Sequence, residues 1–157
     1  MKKMIFPLLA GLVLATAATA APADDVTAPI HQFIDGFNTG NVKSAYAAYA
    51  TGNVTIVDEF PPHRWVGPNA PRAWAADYAR HTRARGITDG KVDYGKPTRK
   101  EIAGKLAYVI IPTVYRYKER GKPLVEEGEM TFVLNSAAAG WKISSWTWSG
   151  VEPHPAK

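Results

Sequence analysis

The sequence predicts an α+β domain, with helices in its first half and an antiparallel sheet in its second. Three observations lead there. Apolar residues between Ile30 and Tyr49 recur at helical spacing, and a β-branched run then appears at Val54-Thr55-Ile56-Val57. From Gly86 onward, β-branched and aromatic runs alternate with Gly-Lys, Arg-Gly-Lys-Pro and Ala-Gly turn signals. A helical half followed by a meander is the pattern in which helices cover one face of a sheet.

The chain has 157 residues. Residues 1–20 read as a secretory signal peptide: Lys2 and Lys3, an uncharged stretch from Met4 to Ala18, then the small-x-small pattern Ala18-Thr19-Ala20. A membrane anchor is the competing reading, but a spanning helix needs about 20 apolar residues and this run is shorter. The expectation is a periplasmic or secreted protein cut after Ala20, with residues 21–25 as a mobile leader, one domain over 26–151 and a tail over 152–157. With no cysteine there is neither a lipid-modified cysteine nor a disulfide, so the mature chain should need no membrane. The signal takes Lys2 and Lys3 with it, lowering the net charge from +5 to +3. That excess is too mild and too scattered for a nucleic-acid surface; Arg80, Arg83 and Arg85 stand where a helix C-terminus attracts cations.

The first helix should begin near Thr27, whose hydroxyl can cap while Pro29 sits in the first turn. Ile30, Phe33, Ile34 and Phe37 form its apolar stripe, and Gly40 stops it. Asn41 can cap a second helix bearing Ala45, Tyr46 and Tyr49, which Gly52 ends. After Val54–Val57, Pro61-Pro62 breaks the chain, a short strand covers Arg64 to Val66, and Asn69 can cap a third helix. Trp74, Tyr78 and His81 fall at i, i+4 and i+7 and share a face of that helix. Four strands follow: Lys91 to Ile102 with Pro97 marking a bulge or edge, Lys105 to Lys118, Leu124 to Leu134, and Trp141 to Ser149. In the third of these, Met130, Phe132 and Leu134 point one way while Glu127, Glu129 and Thr131 point the other. Both parity sets of Leu106 to Tyr117 are apolar, which suggests burial on both faces and a homodimer through the outer sheet face.

Chemistry has few candidates. Asp58 ends a strand beside Phe60 and two prolines, where desolvation raises a carboxyl pKa and suits it to proton transfer; an exposed acid capping a turn is the plain alternative. His81 can line a cavity and pair with Asp58, or be a partly buried structural histidine. Trp65, Trp74, Trp146 and Trp148, with Tyr78 and Tyr115, suit the wall of a pocket for a small hydrophobic or aromatic ligand, although tryptophans at such spacings also serve as plain core. The scattered histidines and lack of cysteine give no metal-ligand spacing, and no cofactor motif occurs. Glu126, Glu127 and Glu129 are split by strand alternation and read as a solvated edge.

The residues Phe37-Asn38-Thr39-Gly40-Asn41, Ala48-Tyr49, Trp65-Val66-Gly67 and Gly140-Trp141-Lys142-Ile143, spread over about Val26 to Ser149, resemble the SnoaL-like, nuclear transport factor 2-like superfamily. The resemblance implies three N-terminal helices packed on a strongly curved, mostly antiparallel sheet that forms a cone-shaped pocket. Its members include ketosteroid isomerases, polyketide cyclases, scytalone dehydratase, epoxide hydrolases and non-catalytic binding modules, so function rests on individual residues. Matched through the Asn-x-Gly turn, the isomerase's oxyanion tyrosine falls at Phe33. Its base falls at Val57 or, shifted by one, Asp58, and its protonated aspartate falls near Met130 or Thr131. At most one of three roles survives. The leading expectation is therefore an exported, non-catalytic small-molecule-binding domain. A cofactor-independent lyase or isomerase using Asp58 as general base with His81, resembling the dehydratase, and a dimeric scaffold or protein-interaction module are the alternatives.

Overall fold

The computed structural model describes residues 25–156, so the signal-peptide cut and most of the leader lie outside the described residues. Helix α1 (Ala28–Thr39) places Ile30, Phe33 and Ile34 against the sheet, and Gly40, at φ 69°, closes it with its N–H on the Phe37 carbonyl. The expected Thr27 cap does not form. Its hydroxyl donates instead to the Asp25 carboxylate at 2.8 Å, because an acid two residues upstream is a stronger acceptor than the helix N–H groups are donors to a hydroxyl. Helix α2 (Val42–Ala47) is capped as expected, the Ser44 N–H donating to the Asn41 side chain at 3.1 Å. It stops five residues before Gly52. There the Ile143 N–H reaches the Ala48 carbonyl and the Ala50 N–H reaches the Ile143 carbonyl, drawing the segment onto the sheet.

Strands β1 (Val54–Val57) and β2 (Arg64–Gly67) form a hairpin-like pair, and α3 (Ala70–Arg85) follows. The remaining strands are β3 (Ile87–Tyr94), β4 (Arg99–Ala103), β5 (Leu106–Glu119), β6 (Lys122–Ala137), β7 (Gly140–Gly150) and the two-residue β8 (His154–Pro155). The sheet runs β2-β1-β7-β6-β5-β3, with β4 beside β3 on the β5 edge and β8 on β6. Every pair is antiparallel except β1 with β7. The expected single strand from Lys91 to Ile102 is two strands. Gly95 donates to Pro112 and Thr98 to Ile110 across a bulge, and Pro112 has no N–H with which to continue the ladder.

Two further irregularities bend the sheet. The β6–β7 register shifts between Val133 and Leu134, so that Ile143 and Trp146 face the same side although their numbers differ in parity. Lys142 and Ser144 therefore do not accompany Trp146 inward: Lys142 reaches the Ala47 carbonyl at 2.7 Å and the Ser144 hydroxyl the Val133 carbonyl at 3.0 Å. The β3–β5 register shifts between Thr88 and Lys91, around Asp89 and Gly90.

The core lies between α1, α3 and the inner sheet face, where Ile30, Ile34, Ile56, Val109, Ile111, Phe132, Leu134 and Ile143 are fully buried. The outer face is less covered in the single chain. Tyr108, Ile110 and Val114 on β5 are only half-buried, and Val57 and Val66 are 41% and 55% exposed. The expected tail does not leave the domain. Val151 donates to Glu127 and Ala156 to Pro123, while β8 pairs His154 with Val125, laying the end of the chain along β6.

Candidate functional site

At the open end of the core the helices and the inner sheet face diverge, leaving a cavity of about 470 Å³. Helix α3 supplies Trp74, Tyr78 and His81 from one face, and α1 supplies Phe33 and Phe37. Inner-face residues of β5, β6 and β7 add Tyr115, Tyr117, Glu126, Met130, Trp146 and Trp148, and Val151 to Pro153 cross the mouth. The rings pack against one another: Trp74 stacks on Tyr78 at 5.6 Å, meets Trp146 edge-on at 5.2 Å, and Tyr115 stacks on Tyr117 at 4.7 Å.

Several polar edges in this wall have specific partners. Asp58 follows β1 and points inward, one oxygen accepting the Trp74 indole N–H at 2.7 Å and the other the Glu59 N–H at 2.8 Å. Burial raises its pKa above the ordinary value, opposed by the Trp74 and Glu59 hydrogen bonds. The Tyr78 and Tyr115 hydroxyls lie 2.6 Å apart, in space that exists because Gly90 has no side chain. A Cβ there would stand 2.7 Å from the Tyr115 hydroxyl. Burial raises the pKa of both tyrosines, so each is a neutral donor-acceptor.

His81 lines the same cavity but packs on Phe60 with the rings tilted by 31° and their centres 5.1 Å apart. Burial and the neighbouring Arg85 charge lower its pKa, keeping the imidazole neutral at neutral pH. The structure thus brings Asp58 and His81 to one cavity, yet the partner at the Asp58 carboxylate is Trp74. Trp65 stands outside the lining: it is 5% exposed, packs on Phe60 at 5.1 Å, and donates to Asp77 at 2.8 Å. Trp146 is at once core and wall, 3% exposed with its N–H on the Tyr49 hydroxyl at 2.8 Å. Trp148 is half-buried and donates to Glu59 at 3.1 Å.

Glu59, Glu126 and Tyr117 are lining residues that the sequence reading did not single out. Glu126 is not on a solvated edge. It is 2% exposed, one oxygen accepts the Tyr117 hydroxyl at 2.8 Å, and the other is buried without a donor. The signal was present: Glu126 shares parity with Met130, Phe132 and Leu134, the apolar set of the same strand. Glu59 carries no periodic signal, because it lies in the bend after β1. Its carboxyl pKa is pushed up to about 8, by burial first and then by the adjoining Glu126 charge and hydrogen bond. Of the positions matched to the three isomerase groups, Phe33, Asp58 and Met130 border the cavity, and among them Asp58 alone is polar. Among the described residues no group of three histidine, aspartate or glutamate side chains could hold a metal ion, and no helix is long and apolar enough to cross a membrane.

Helices packed on a bent sheet define a class of fold, and solved structures share that fold. A hexachlorocyclohexane dehydrochlorinase, LinA-type3, from Novosphingobium barchaimii LL02 aligns over 83% of this chain and 87% of its own, with a TM-score of 0.69 at 11% identity. A nuclear transport factor 2-like superfamily protein from Salmonella enterica serovar Typhimurium LT2 aligns over 84% and 89%, with 0.65 at 15%. A ketosteroid isomerase-like protein from Erwinia carotovora atroseptica SCRI1043 aligns over 82% and 95%, with 0.61 at 16%. The chain has the SnoaL-like, nuclear transport factor 2-like fold. No protein-family model and no curated protein matches it.

Proposed function

We propose that the chain binds a small apolar or aromatic molecule in this cavity. One observation carries the reading: about 470 Å³ of space walled by ring faces falls in the size range of small-molecule sites, roughly 300–1,000 Å³. Tryptophan emission tests it directly, since Trp74, Trp146 and Trp148 border the space. Titration with small aromatic hydrocarbons, phenols and anilines should shift emission and raise the melting temperature. A panel in which no compound moves either quantity refutes binding.

A second reading, proton abstraction by Asp58, is favoured by the inward carboxylate with its raised pKa. The fold shared with a dehydrochlorinase suggests elimination as the reaction class. It predicts that the protein speeds deuterium incorporation next to the carbonyl of phenylacetone in heavy water, and that Asp58→Asn abolishes the effect. An unchanged rate in the variant removes this reading.

Export with cleavage after Ala20 belongs to the same proposal and rests on the N-terminal charge and apolar pattern. Homodimerisation rests on the half-buried apolar outer face of β5 together with Val57 and Val66. Sedimentation of a strictly monomeric mature protein at micromolar concentration contradicts it and with it the scaffold alternative.

A further inference from the structure

The cavity is charged in a way that an apolar ligand alone does not explain. Asp58, Glu59 and Glu126 all border it, and Glu152 adds a fourth carboxylate where the end of the chain crosses the mouth. The basic groups in the lining are Arg85 and His81. Arg85 is engaged elsewhere, its guanidinium donating twice to Glu119 at 2.9 Å. His81 is a neutral imidazole packed at a tilt against Phe60. Among the described residues no side-chain cation is therefore hydrogen-bonded to the acids at the centre, and Arg85 acts on Glu126 only through its charge at a distance.

Glu126 makes the imbalance specific. Its second oxygen is buried at 2% residue exposure with no fixed N–H or O–H donor, and the neighbouring Glu59 carboxyl bonds to Glu126 only by keeping its own proton. The other Glu126 oxygen is fixed by the Tyr117 hydroxyl at 2.8 Å, so the side chain cannot swing away without breaking that bond. Glu59 stands beside it, held by the Trp148 indole N–H at 3.1 Å. Tyr117 and Trp148 turn their polar edges to the two acids, and further rings line the same cavity, where aromatic faces attract cations. The arrangement does not suit a metal ion: Asp58 is already bonded to Trp74 and the Glu59 N–H, and no three-ligand cluster exists among the described residues.

We infer that the occupant of the cavity is an organic cation, a small apolar or aromatic molecule bearing a protonated or quaternary amine, with its ammonium group against Glu126 and Glu59. This assignment rests on the binding function proposed above and names the chemical class of its ligand. A protonated amine donates to the unpartnered Glu126 oxygen, neutralises the acid pair and places its apolar remainder against the rings. A quaternary amine supplies the charge and the cation–π contact without the hydrogen bond. When no cation is present, the Glu59 carboxyl retains a proton well above the ordinary glutamate range; the ligand replaces that proton.

A matched pair of probes separates this inference from the reading beneath it. Phenyltrimethylammonium and tert-butylbenzene have nearly the same shape and differ in charge, and the former does not titrate. At pH 8.5 the full chain should bind the cation at least about tenfold more tightly by tryptophan quenching, the advantage expected of a desolvated charge contact. Glu126→Gln should shrink that preference, read as the ratio of the two affinities in the same variant, to under about threefold. Affinity for the cation should fall by about tenfold between pH 8.5 and pH 6.5, because a proton must leave the acid pair for each cation bound. The groups facing the pair that titrate or carry charge are Asp58 on β1, Tyr78, His81 and Arg85 on α3, Tyr115, Tyr117 and Glu119 on β5, and Glu152. Among these His81, its pKa lowered, gains charge only at the acid end of the series. Equal or tighter binding of tert-butylbenzene overturns the cation assignment and leaves the pocket standing. Binding of neither probe overturns both. A cation preference that survives Glu126→Gln undiminished overturns the role given to Glu126.

Discussion

Replacing Trp74 by phenylalanine removes one hydrogen-bond donor from a desolvated carboxylate and little else of the wall's shape. The indole N–H stands 2.7 Å from Asp58, and a bond of that length to a charged acceptor contributes about 1.5–3 kcal/mol. Lost ring atoms add a pH-independent cost on the order of 1–2 kcal/mol, since Trp74 is 8% exposed and packed against Phe33, Phe37, Tyr78 and Trp146. The two parts separate by pH. Asp58 already has a folded-state pKa above its unfolded value, so its proton favours the folded state and its ionisation opposes folding. Without the Trp74 donor that pKa climbs further. Below both folded values the carboxyl is protonated in each protein and the hydrogen-bond loss is small. As pH rises through them, the variant's deficit grows by about 1.4 kcal/mol for each unit separating the two. Urea unfolding from pH 3 to pH 8, run as a double-mutant cycle with Asp58→Asn, isolates the pair. The coupling should be about 1.5–3 kcal/mol at pH 8 and under about 1 kcal/mol at pH 3. A coupling that does not vary with pH refutes the claim that Trp74 stabilises an ionised Asp58.

Gly90→Ala should destabilise the fold by about 1–3 kcal/mol, because its methyl would stand 2.7 Å from the Tyr115 hydroxyl and 3.1 Å from that of Tyr78; thermal unfolding measures the loss, and Tyr115→Phe in the same background should relieve part of it. Folding stability should decline as pH rises from the ordinary glutamate value of 4.5 toward about 8, since the folded state holds the Glu59 proton across that window and the unfolded state does not. Solvent at the partly exposed Glu59 screens the effect below the full single-proton slope, and Glu59→Gln should flatten it. Mass spectrometry of the protein recovered from an expressing bacterium should find Ala21 as the first residue, and a retained Met1 contradicts export with cleavage.

The helical half of the fold was legible because its periodicity is unambiguous: Ile30, Phe33, Ile34 and Phe37 share one face, and so do Trp74, Tyr78 and His81, all three of which reach the cavity. Strand positions were legible from composition, strand boundaries less so. Pairing overrides local pattern at Ala48 to Ala50, where the backbone joins β7 instead of completing a helical turn. It does so again at Gly95 to Thr98, where the β5 edge without a donor at Pro112 splits a continuous run in two. A bulge is invisible to a two-residue period. The one at Ser144 reverses which residues of β7 face inward, so Ile143 rather than Ser144 joins Trp146 in the core.

The chemistry of the site was harder to read because carboxylates mark surfaces far more often than interiors. Alternation puts Glu126 on the parity of Met130 and Phe132, whereas its charge argues for solvent. What decides the matter is the partner across the strand. Glu126 pairs in register with Tyr115, and two residues along the same β5 face Tyr117 offers a hydroxyl. An acid whose cross-strand neighbours carry inward hydroxyls has a donor waiting inside, which lowers the cost of burying it. The Tyr117 hydroxyl, buried, needs an acceptor and finds it in the one glutamate whose parity points at it. Buried acids become legible when inward tyrosines and strand register are read together, and the register here follows from the tight Arg120-Gly121 turn that joins Glu119 to Lys122.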